Sequence, residues 1–249
     1  MTGDGMYVYA ITRAGSLLPA DANGVGSPAA QLRVIRQGGI AAVVSDAPAN
    51  LRARRRDLLA HQELLLRLSG QGPVLPMRFG MVAPDEETVR GQLAAQEADH
   101  LVVLEHLADG VEINVKALPA QNALGSLIAE DKNVRRLRDE ARRRPGYEAN
   151  VRLGEAVATA LESRAAEAGR RVLRELTPRA RAMAPGPDVQ GCVLNVSFLV
   201  GRGDSDDFMS SAEKFAESRR ERVELRLAGP LPCYSFVSVE SIRVRTAGV

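Results

Sequence analysis

The stretch that decides the fold class reads VLPMRFGMV at 74–82, PDEE at 84–87 and VEINVKA at 111–117. The first run favours extended structure, and Pro76 within it predicts a sheet edge or a bulge, because proline cannot donate to a β-ladder. The acidic residues after Pro84 favour a helix start, and the helix is continued at helical spacing by Leu93, Gln96, His100, Val103 and Leu107. The last run alternates apolar and polar residues, as a half-exposed strand does. Strand, helix and strand in this order predict an α+β fold.

On the N-terminal side of this stretch, the runs Tyr7–Ile11 and IAAVVS at 40–45 predict buried strands. The Gly/Pro/Ala-rich residues between them predict a loop. Leucines from Leu51 to Leu68 recur at helical spacing among Arg and Glu, which predicts an amphipathic helix. We therefore expect residues 1–120 to form an N-terminal ferredoxin-like α+β domain.

Residues 121–186 are Arg- and Ala-rich and predict a helical spacer, a helical hairpin or coiled-coil-like element interrupted at Pro145-Gly146. Its second half carries a seam of small apolar residues at three- and four-residue steps, which predicts a close partner helix. The seam consists of Val151, Gly154, Ala158, Leu161, Ala165, Ala168 and Val172.

Residues 187–249 predict a second, smaller α+β unit. Strands are expected at 189–200, 223–227 and 234–244, and a helix at 208–218 is expected to be capped by the Asp204–Asp207 cluster. The complete expectation is an α+β fold with two ferredoxin-like α/β sandwich units joined by an Arg/Ala-rich helical region.

The overall composition limits the classes of function. The net charge is only +2, although residues 131–181 contain 14 basic against 8 acidic side chains. With 4% aromatic residues and no Trp, the chain is poorly supplied for base stacking, so solvated helix faces explain its Arg runs better than nucleic acid does. Cys192 and Cys233 predict free thiols. No apolar run approaches the roughly 20 residues that span a bilayer, so we expect a cytoplasmic protein without membrane partners.

The residues that could carry chemistry form no recognisable set. His61, His100 and His106 lie on predicted helices without metal-ligand spacing, and we expect His61 at a surface or interface. No catalytic, cofactor-binding or metal site is predicted, and no cofactor. A ferredoxin-like small-molecule enzyme, such as a cofactor-independent oxygenase, and a regulatory ligand-binding module are the alternatives. Either would need a deep pocket with convergent polar groups.

Six segments in order resemble the GvpF/GvpL family of gas vesicle proteins: YVYAI at 7–11, IAAVVSDAP at 40–48, VLPMRFGMV at 74–82, VEINVKAL at 111–118, VLNVSFLVGR at 193–202 and GPLPCYSFV at 229–237. Two motifs within them are the most specific. The first motif is Leu75, Pro76, Arg78, Phe79 and Gly80, and the second motif is Gly229, Pro230, Pro232, Tyr234, Ser235 and Phe236. The chain departs from the pattern at Met81, Leu231 and Cys233, where the resemblance implies Thr, Trp and Pro.

The resemblance implies a non-enzymatic structural or accessory protein of gas vesicle formation. Its implied partners are the hydrophobic shell protein and other gas vesicle proteins, and its implied location is the gas vesicle. The motif residues are expected to serve structure or partner contact. We expect Arg78 to act as a structural bracket, because a guanidinium beside a Pro-bent strand can bond carbonyls that the bend frees.

Overall fold

The computed structural model describes residues 2–120 and 122–238, which form an α+β fold with two antiparallel sheets and six α-helices. This confirms the predicted α+β class. The chain divides into two compact units. The first unit runs from Met1 to Glu112 and includes the segment that begins at Pro230, and the second runs from Ile113 to Gly229. Within the described ranges, no helix has the length and apolar character needed to cross a bilayer.

The first unit is built on a five-stranded antiparallel sheet in the order β2-β3-β1-β4, in which β5 also pairs with β1. Its strands are β1 (Thr2–Arg13), β2 (Arg33–Gln37), β3 (Ile40–Pro48), β4 (Val74–Pro76) and β5 (Val82–Ala83). The β2-β3 hairpin turns over two glycines, of which Gly38 has φ +56°, a conformation that glycine adopts without strain. β4 lies at the sheet edge, as Pro76 predicted.

Two helices pack on this sheet, α1 (Arg55–Gln71) and α2 (Glu86–His106). Tyr7 and Tyr9 of β1 join the apolar core formed with α1, whereas Val8 lines a groove beneath α2. Because alternate residues of a strand point to opposite faces, the two helices cover opposite sides of the sheet. Asp85 caps α2, since its carboxylate accepts from the Thr88 N–H at 2.7 Å.

The second unit contains a four-stranded sheet in the order β7-β8-β6-β9. Its strands are β6 (Gly110–Pro119), β7 (Ala182–Pro185), β8 (Leu194–Gly201) and β9 (Val223–Leu231). Its helices are α3 (Leu124–Glu130), α4 (Lys132–Arg143), α5 (Tyr147–Leu176) and α6 (Ser205–Ser218). Helices α3 to α5 connect β6 to β7, and α6 connects β8 to β9. The connectivity is β-α-β-β-α-β, with β6 between β8 and β9, which is the arrangement of a ferredoxin-like unit.

The core of the second unit lies between this sheet and the helices α5 and α6. It combines β-branched and aromatic strand residues with apolar helix residues: Ile113, Val115, Val196, Phe198, Val200, Val172, Leu176, Phe208 and Ala212. The seam of α5 is buried at Ala165, Ala168 and Val172 but exposed at Val151 and Gly154. α4 packs against α5, as expected for two halves of one helical region.

Several expectations for individual elements were wrong. The stretch predicted as a loop contains β2, and the end of the predicted helical spacer contains β7. The strand expected from residue 189 begins at Leu194, and the one expected from Tyr234 begins instead with a single 3-10 turn, Tyr234–Phe236. Residues 239–244 of that prediction lie outside the described residues. Asp204 occupies the N-cap position of α6, but its side chain makes no capping hydrogen bond.

The division into units also differs from the expected boundaries at 120 and 186. Helices of the range 121–186 pack within the same unit as the strands that flank them, because they form the first crossover of the second sheet. The part expected to form a separate C-terminal domain, 187–249, contributes residues to both units.

Candidate functional site

The first motif leaves the sheet between β4 and β5. Both strands pair with β1, and two bonds bracket the segment between them: the Met77 N–H donates to Tyr9 O, and the Val8 N–H donates to Met81 O, each at 2.9 Å. Arg78, Phe79 and Gly80 therefore form a turn at the sheet edge. Gly80 has φ +91°, which favours glycine at this position.

The first motif residues differ in exposure. Leu75 and Pro76 are buried, Phe79 is half-buried, and Arg78 and Gly80 are exposed. No hydrogen bond or ion pair of the Arg78 guanidinium occurs among the described residues, so the structural bracket expected for this side chain is not formed. The turn is bracketed instead by the two backbone bonds to β1, and Phe79 packs against the apolar core.

The second motif begins in the last residues of β9 and belongs to the first unit from Pro230 on. Gly229 is half-buried and Pro230 is exposed at the end of β9, whereas Pro232 and Phe236 are buried. Cys233 is buried and Cys192 is half-buried, and the two are not joined in a disulfide, as predicted.

Ser235 anchors this segment to Glu112. The Ser235 N–H donates to Glu112 Oε2 and the Ser235 hydroxyl donates to Oε1, both at 2.8 Å. Glu112 is only 5% exposed, and a buried carboxylate is tolerated when such charge-assisted bonds satisfy it. The motif is thus fixed in place by one bidentate contact.

His61 of α1 is buried, at 3% exposure, which corrects the expectation of a surface or interface residue. Its Nε2 lies 3.0 Å from Met77 O, and its Nδ1 lies 2.9 Å from the Tyr7 hydroxyl. A carbonyl can only accept, so Nε2 carries the proton and Nδ1 accepts from Tyr7. Both ring nitrogens are therefore engaged within the protein.

Aromatic rings surround this imidazole. The Tyr9 ring stacks on it with centroids 5.7 Å apart, and Tyr7 and Phe79 meet it edge-on. The Tyr9 hydroxyl bonds Ser45 Oγ at 2.9 Å and accepts from the Val25 N–H at 2.8 Å. We call His61, Tyr7, Tyr9 and Phe79 the His61 cluster. It is the buried centre of the first unit.

Both motifs reach the His61 cluster. Gly80 of the first motif donates its N–H to the Tyr7 hydroxyl at 3.1 Å, and the Tyr234 hydroxyl of the second motif lies 3.5 Å from His61 Nε2. Two motifs that are far apart in the chain thus meet at the His61 cluster. Arg78 and Pro230 remain at the surface.

The ionisable groups of the cluster are held in their neutral forms. Burial lowers the pKa of His61, partly opposed by its bond to Met77 O. Burial also raises the pKa of Tyr7 and of Tyr9 above the usual value. Tyr234 lies beside the cluster and is 37% exposed; partial burial of its hydroxyl, reinforced by the nearby Glu112 carboxylate, raises its pKa to about 12. At neutral pH the cluster is a network of neutral groups that hydrogen-bond within the protein.

An apolar rim lies beside the first motif. Met81 is 50% exposed and Val82 is 44% exposed, although both belong to or adjoin the edge strand β5. They border a groove of about 250 Å³ between β1 and α2. Its lining is mainly apolar and includes Val8, Ile11, Met77, Val89 and Leu93. We call Met81, Val82 and this groove the apolar edge.

The described residues contain no group of three or more His, Cys, Asp or Glu side chains placed to hold a metal ion. Sequence reasoning missed the roles of Tyr7, Tyr9, Glu112 and Ser235. The sequence did contain a signal for the burial of His61. This residue shares helical spacing with the apolar Leu64, Leu65 and Leu68 and so lies on the buried face of α1.

The sequence matches a known family over nearly its whole length. The family model described as gas vesicle synthesis protein GvpL/GvpF matches residues 5–238. Gas vesicle protein F of Streptomyces sp. (strain CB03234) is 41% identical over 236 residues, which cover 93% of this chain and 98% of that protein. Gas vesicle protein L of the same strain is 31% identical over 259 residues, covering 94% and 92%.

The fold also matches a solved structure. The crystal structure of the gas vesicle protein GvpF from Anabaena sp. PCC7120 superposes with a TM-score of 0.75 and covers 95% of this chain and 99% of that chain. The sequence identity is 24%, so this similarity concerns the fold.

Proposed function

Because the chain belongs to the gas vesicle synthesis protein GvpL/GvpF family, we propose that it is a non-enzymatic assembly factor that binds the hydrophobic shell protein. The family is one of gas vesicle proteins and not of enzymes. A shell subunit must expose apolar surface toward gas, so before assembly it is prone to aggregate. A partner that covers this surface suppresses wrong association, and it can then leave or remain as a minor shell component.

The apolar edge is the observation that carries this proposal. An edge strand with exposed apolar side chains is a site where another chain can add, and proteins normally protect such edges with charge. Here Met81 and Val82 are left uncovered at the end of the first motif. The groove beside them is smaller than the roughly 300–1,000 Å³ of small-molecule sites, and it suits one or two apolar side chains of a partner.

The His61 cluster holds the turn that precedes the apolar edge. The Tyr7 hydroxyl holds the Gly80 N–H, and β1 pairs with β5 through Tyr7 and Val82. The first motif turn is therefore held in one conformation before a partner arrives, which lowers the entropy lost on binding.

We also propose a location in the cytoplasm and at the gas vesicle, and assignment to the F type. The chain shares more identical residues with the Streptomyces protein called F than with the one called L.

Co-purification of the tagged chain with co-expressed shell protein tests the proposal. Val82→Lys should lower the amount of co-purified shell protein at least about tenfold, because a Lys on an edge strand opposes strand addition and burial of the apolar edge. Val102→Lys is the matched control, since Val102 is 52% exposed on α2 and should leave binding unchanged.

Two results would reject the proposal. One is that the unaltered chain captures no shell protein while both are folded and expressed. The other is that the Val82→Lys and Val102→Lys variants co-purify with equal amounts of shell protein, which would mean that the apolar edge is not the binding surface. Electron microscopy of cells that carry each variant in place of the original gene then shows whether lost binding also means lost vesicles.

A further inference from the structure

The second unit carries a concentrated basic surface on α4. Six of the 12 residues of this helix are Lys or Arg, against two acidic residues, and Arg144 follows directly. Lys132, Arg135, Arg136, Arg143 and Arg144 line a shallow open groove of about 670 Å³. We call these five residues the basic face.

The fold holds the basic face toward solvent. Val134 and Ala141 on the opposite side of α4 are buried, at 1% and 9% exposure. At about 100° per residue, Lys132, Arg136 and Arg143 project within about 40° of one another and away from those two residues. The cations are therefore presented together on a fixed helix.

The available carboxylates neutralise only part of this surface. Arg136 pairs with Glu140 at 3.3 Å, and Arg135 donates to the carbonyl of Ala129 at 3.1 Å. Lys132, Arg143 and Arg144 make no ion pair within the ranges that the structure describes. A net positive charge is left uncompensated along the helix.

Helix stability accounts for only part of this arrangement. Asp131 caps the N-terminus of α4, and Arg143 and Arg144 lie at its C-terminus, where the dipole favours cations. Lys132, however, is the first residue of the helix, where the dipole disfavours a cation. Lys132 and Arg136 are also like charges four residues apart, which destabilises a helix. An anionic partner would relieve the repulsion.

Protein carboxylates suit the basic face better than phosphates do. Asp139 and Glu140 lie among its cations and lower the density of positive charge on which binding to a phosphate backbone depends. The groove lining contains no aromatic side chain on which a base could stack. Guanidinium groups bind carboxylates through two parallel bonds, which gives orientation as well as attraction.

We propose that the basic face of α4 is a docking surface for an acidic segment of a partner protein, rich in Asp and Glu. This site is separate in sequence from the apolar edge and does not depend on shell-protein binding. The partner contributes carboxylates to Lys132, Arg135 and Arg143, and binding weakens as salt rises.

Binding of fluorescein-labelled poly-L-glutamate, measured by anisotropy with the full chain at about 50 and 300 mM NaCl, tests this inference. The triple variant Lys132→Gln, Arg135→Gln, Arg143→Gln should raise Kd about tenfold at the lower salt, the combined effect of three exposed ion pairs. Circular dichroism should show unchanged helix content, because all three side chains are exposed.

A control variant with the same change in net charge is Arg52→Gln, Arg55→Gln, Arg174→Gln. These three residues are exposed and make no ion pair in the described part of the chain. The control should change Kd less than about twofold, because it leaves the basic face intact.

Three outcomes would overturn the inference. They are an absence of poly-L-glutamate binding by the unaltered chain, equal losses in the α4 variant and its control, and tighter α4-dependent binding of a DNA duplex than of poly-L-glutamate. The last would make the basic face a nucleic-acid surface, with a steep salt dependence as its signature.

Discussion

Replacement of Tyr7 by Phe tests whether hydrogen bonds around His61 stabilise the first unit. The Tyr7 ring is fully buried and lies 4.5 Å from the Tyr9 ring, and it stays in place in the variant. Only the hydroxyl is lost. That group donates to His61 Nδ1 at 2.9 Å and accepts from the Gly80 N–H at 3.1 Å. The expected effect therefore comes from two hydrogen bonds.

The magnitude follows from the surroundings of the two partners. His61 Nδ1 would be left buried without a donor, which costs about 1–3 kcal/mol, whereas water can reach the exposed Gly80 at a cost of about 0.5 kcal/mol. We expect Tyr7→Phe to lower the free energy of unfolding by about 2 kcal/mol. Tyr234→Phe should lower it by less than about 0.5 kcal/mol, because that hydroxyl is 3.5 Å from Nε2, which keeps its bond to Met77 O.

Urea titration followed by tyrosine fluorescence measures both changes. The chain has four Tyr and no Trp, and only Tyr147, which is 85% exposed, lies in the second unit. In a Tyr147→Phe background the signal comes from the first unit alone. Equal losses for Tyr7→Phe and Tyr234→Phe at unchanged m-value would refute the role assigned to the network.

Three further predictions concern neighbouring groups. Burial lowers the pKa of His61, so the unfolded chain binds more protons at this residue than the folded chain does below about pH 6.5. Acidification from about pH 7.5 to 5.5 should therefore lower the free energy of unfolding by at most about 1.4 kcal/mol through His61. Urea titrations at both pH values should show a flatter profile for His61→Gln, and an unchanged profile would contradict the assignment. Ser235→Ala should lower the free energy of unfolding by about 1–1.5 kcal/mol in the same titration, because the Glu112 carboxylate loses one of its two hydrogen bonds to Ser235. An unchanged free energy of unfolding would mean that the bond from the Ser235 backbone N–H suffices. Arg78→Lys should change the free energy of unfolding, measured by thermal melts, by less than about 0.5 kcal/mol. A decrease near 2 kcal/mol would support the structural bracket expected for Arg78 from the sequence.

The sequence predicted the elements that carry a clear local signal. β6 alternates apolar and polar residues, α1 has leucines at helical spacing, β3 is a continuous apolar run, and α2 begins with an acidic first turn. β2 was missed because it has five residues with only Val34 and Ile35 as apolar members, which is too short for a period to be read. β7 was missed because AMAP ends in proline and directly follows a helical region.

The connectivity of the second unit could not be predicted from local patterns. Helices α3 to α5 have the composition of a spacer, and nothing local distinguishes a spacer from a long crossover between two strands. The difference lies in β6, which pairs with β8 about 80 residues later, as the bond from Asn114 Nδ2 to Asn195 Oδ1 shows. Such pairings are fixed by the packing of the complete unit.

The His61 cluster was missed for a similar reason. A lone histidine beside Gln62 and Glu63 suggests a surface, and its partners Tyr7 and Tyr234 lie 54 and 173 residues away. The motifs themselves were identified from the sequence, but their meeting point was not, because the segment after Pro230 returns to the first unit. Local patterns carry no information about that return.

Most motif residues are explained by their place in the fold, whereas one is not. Leu75, Pro76 and Phe236 are buried, and the backbone at Gly80 favours glycine, so the fold alone accounts for them. Arg78 is neither buried nor required by the backbone conformation. Its side chain is exposed and makes no hydrogen bond or ion pair among the described residues, and it lies three positions before Met81. A charge beside an apolar edge adds little affinity but disfavours wrong orientations. On the proposed binding at the apolar edge, we therefore expect the partner to carry an acceptor group beside its apolar strand, because a uniformly apolar partner would leave Arg78 without a role.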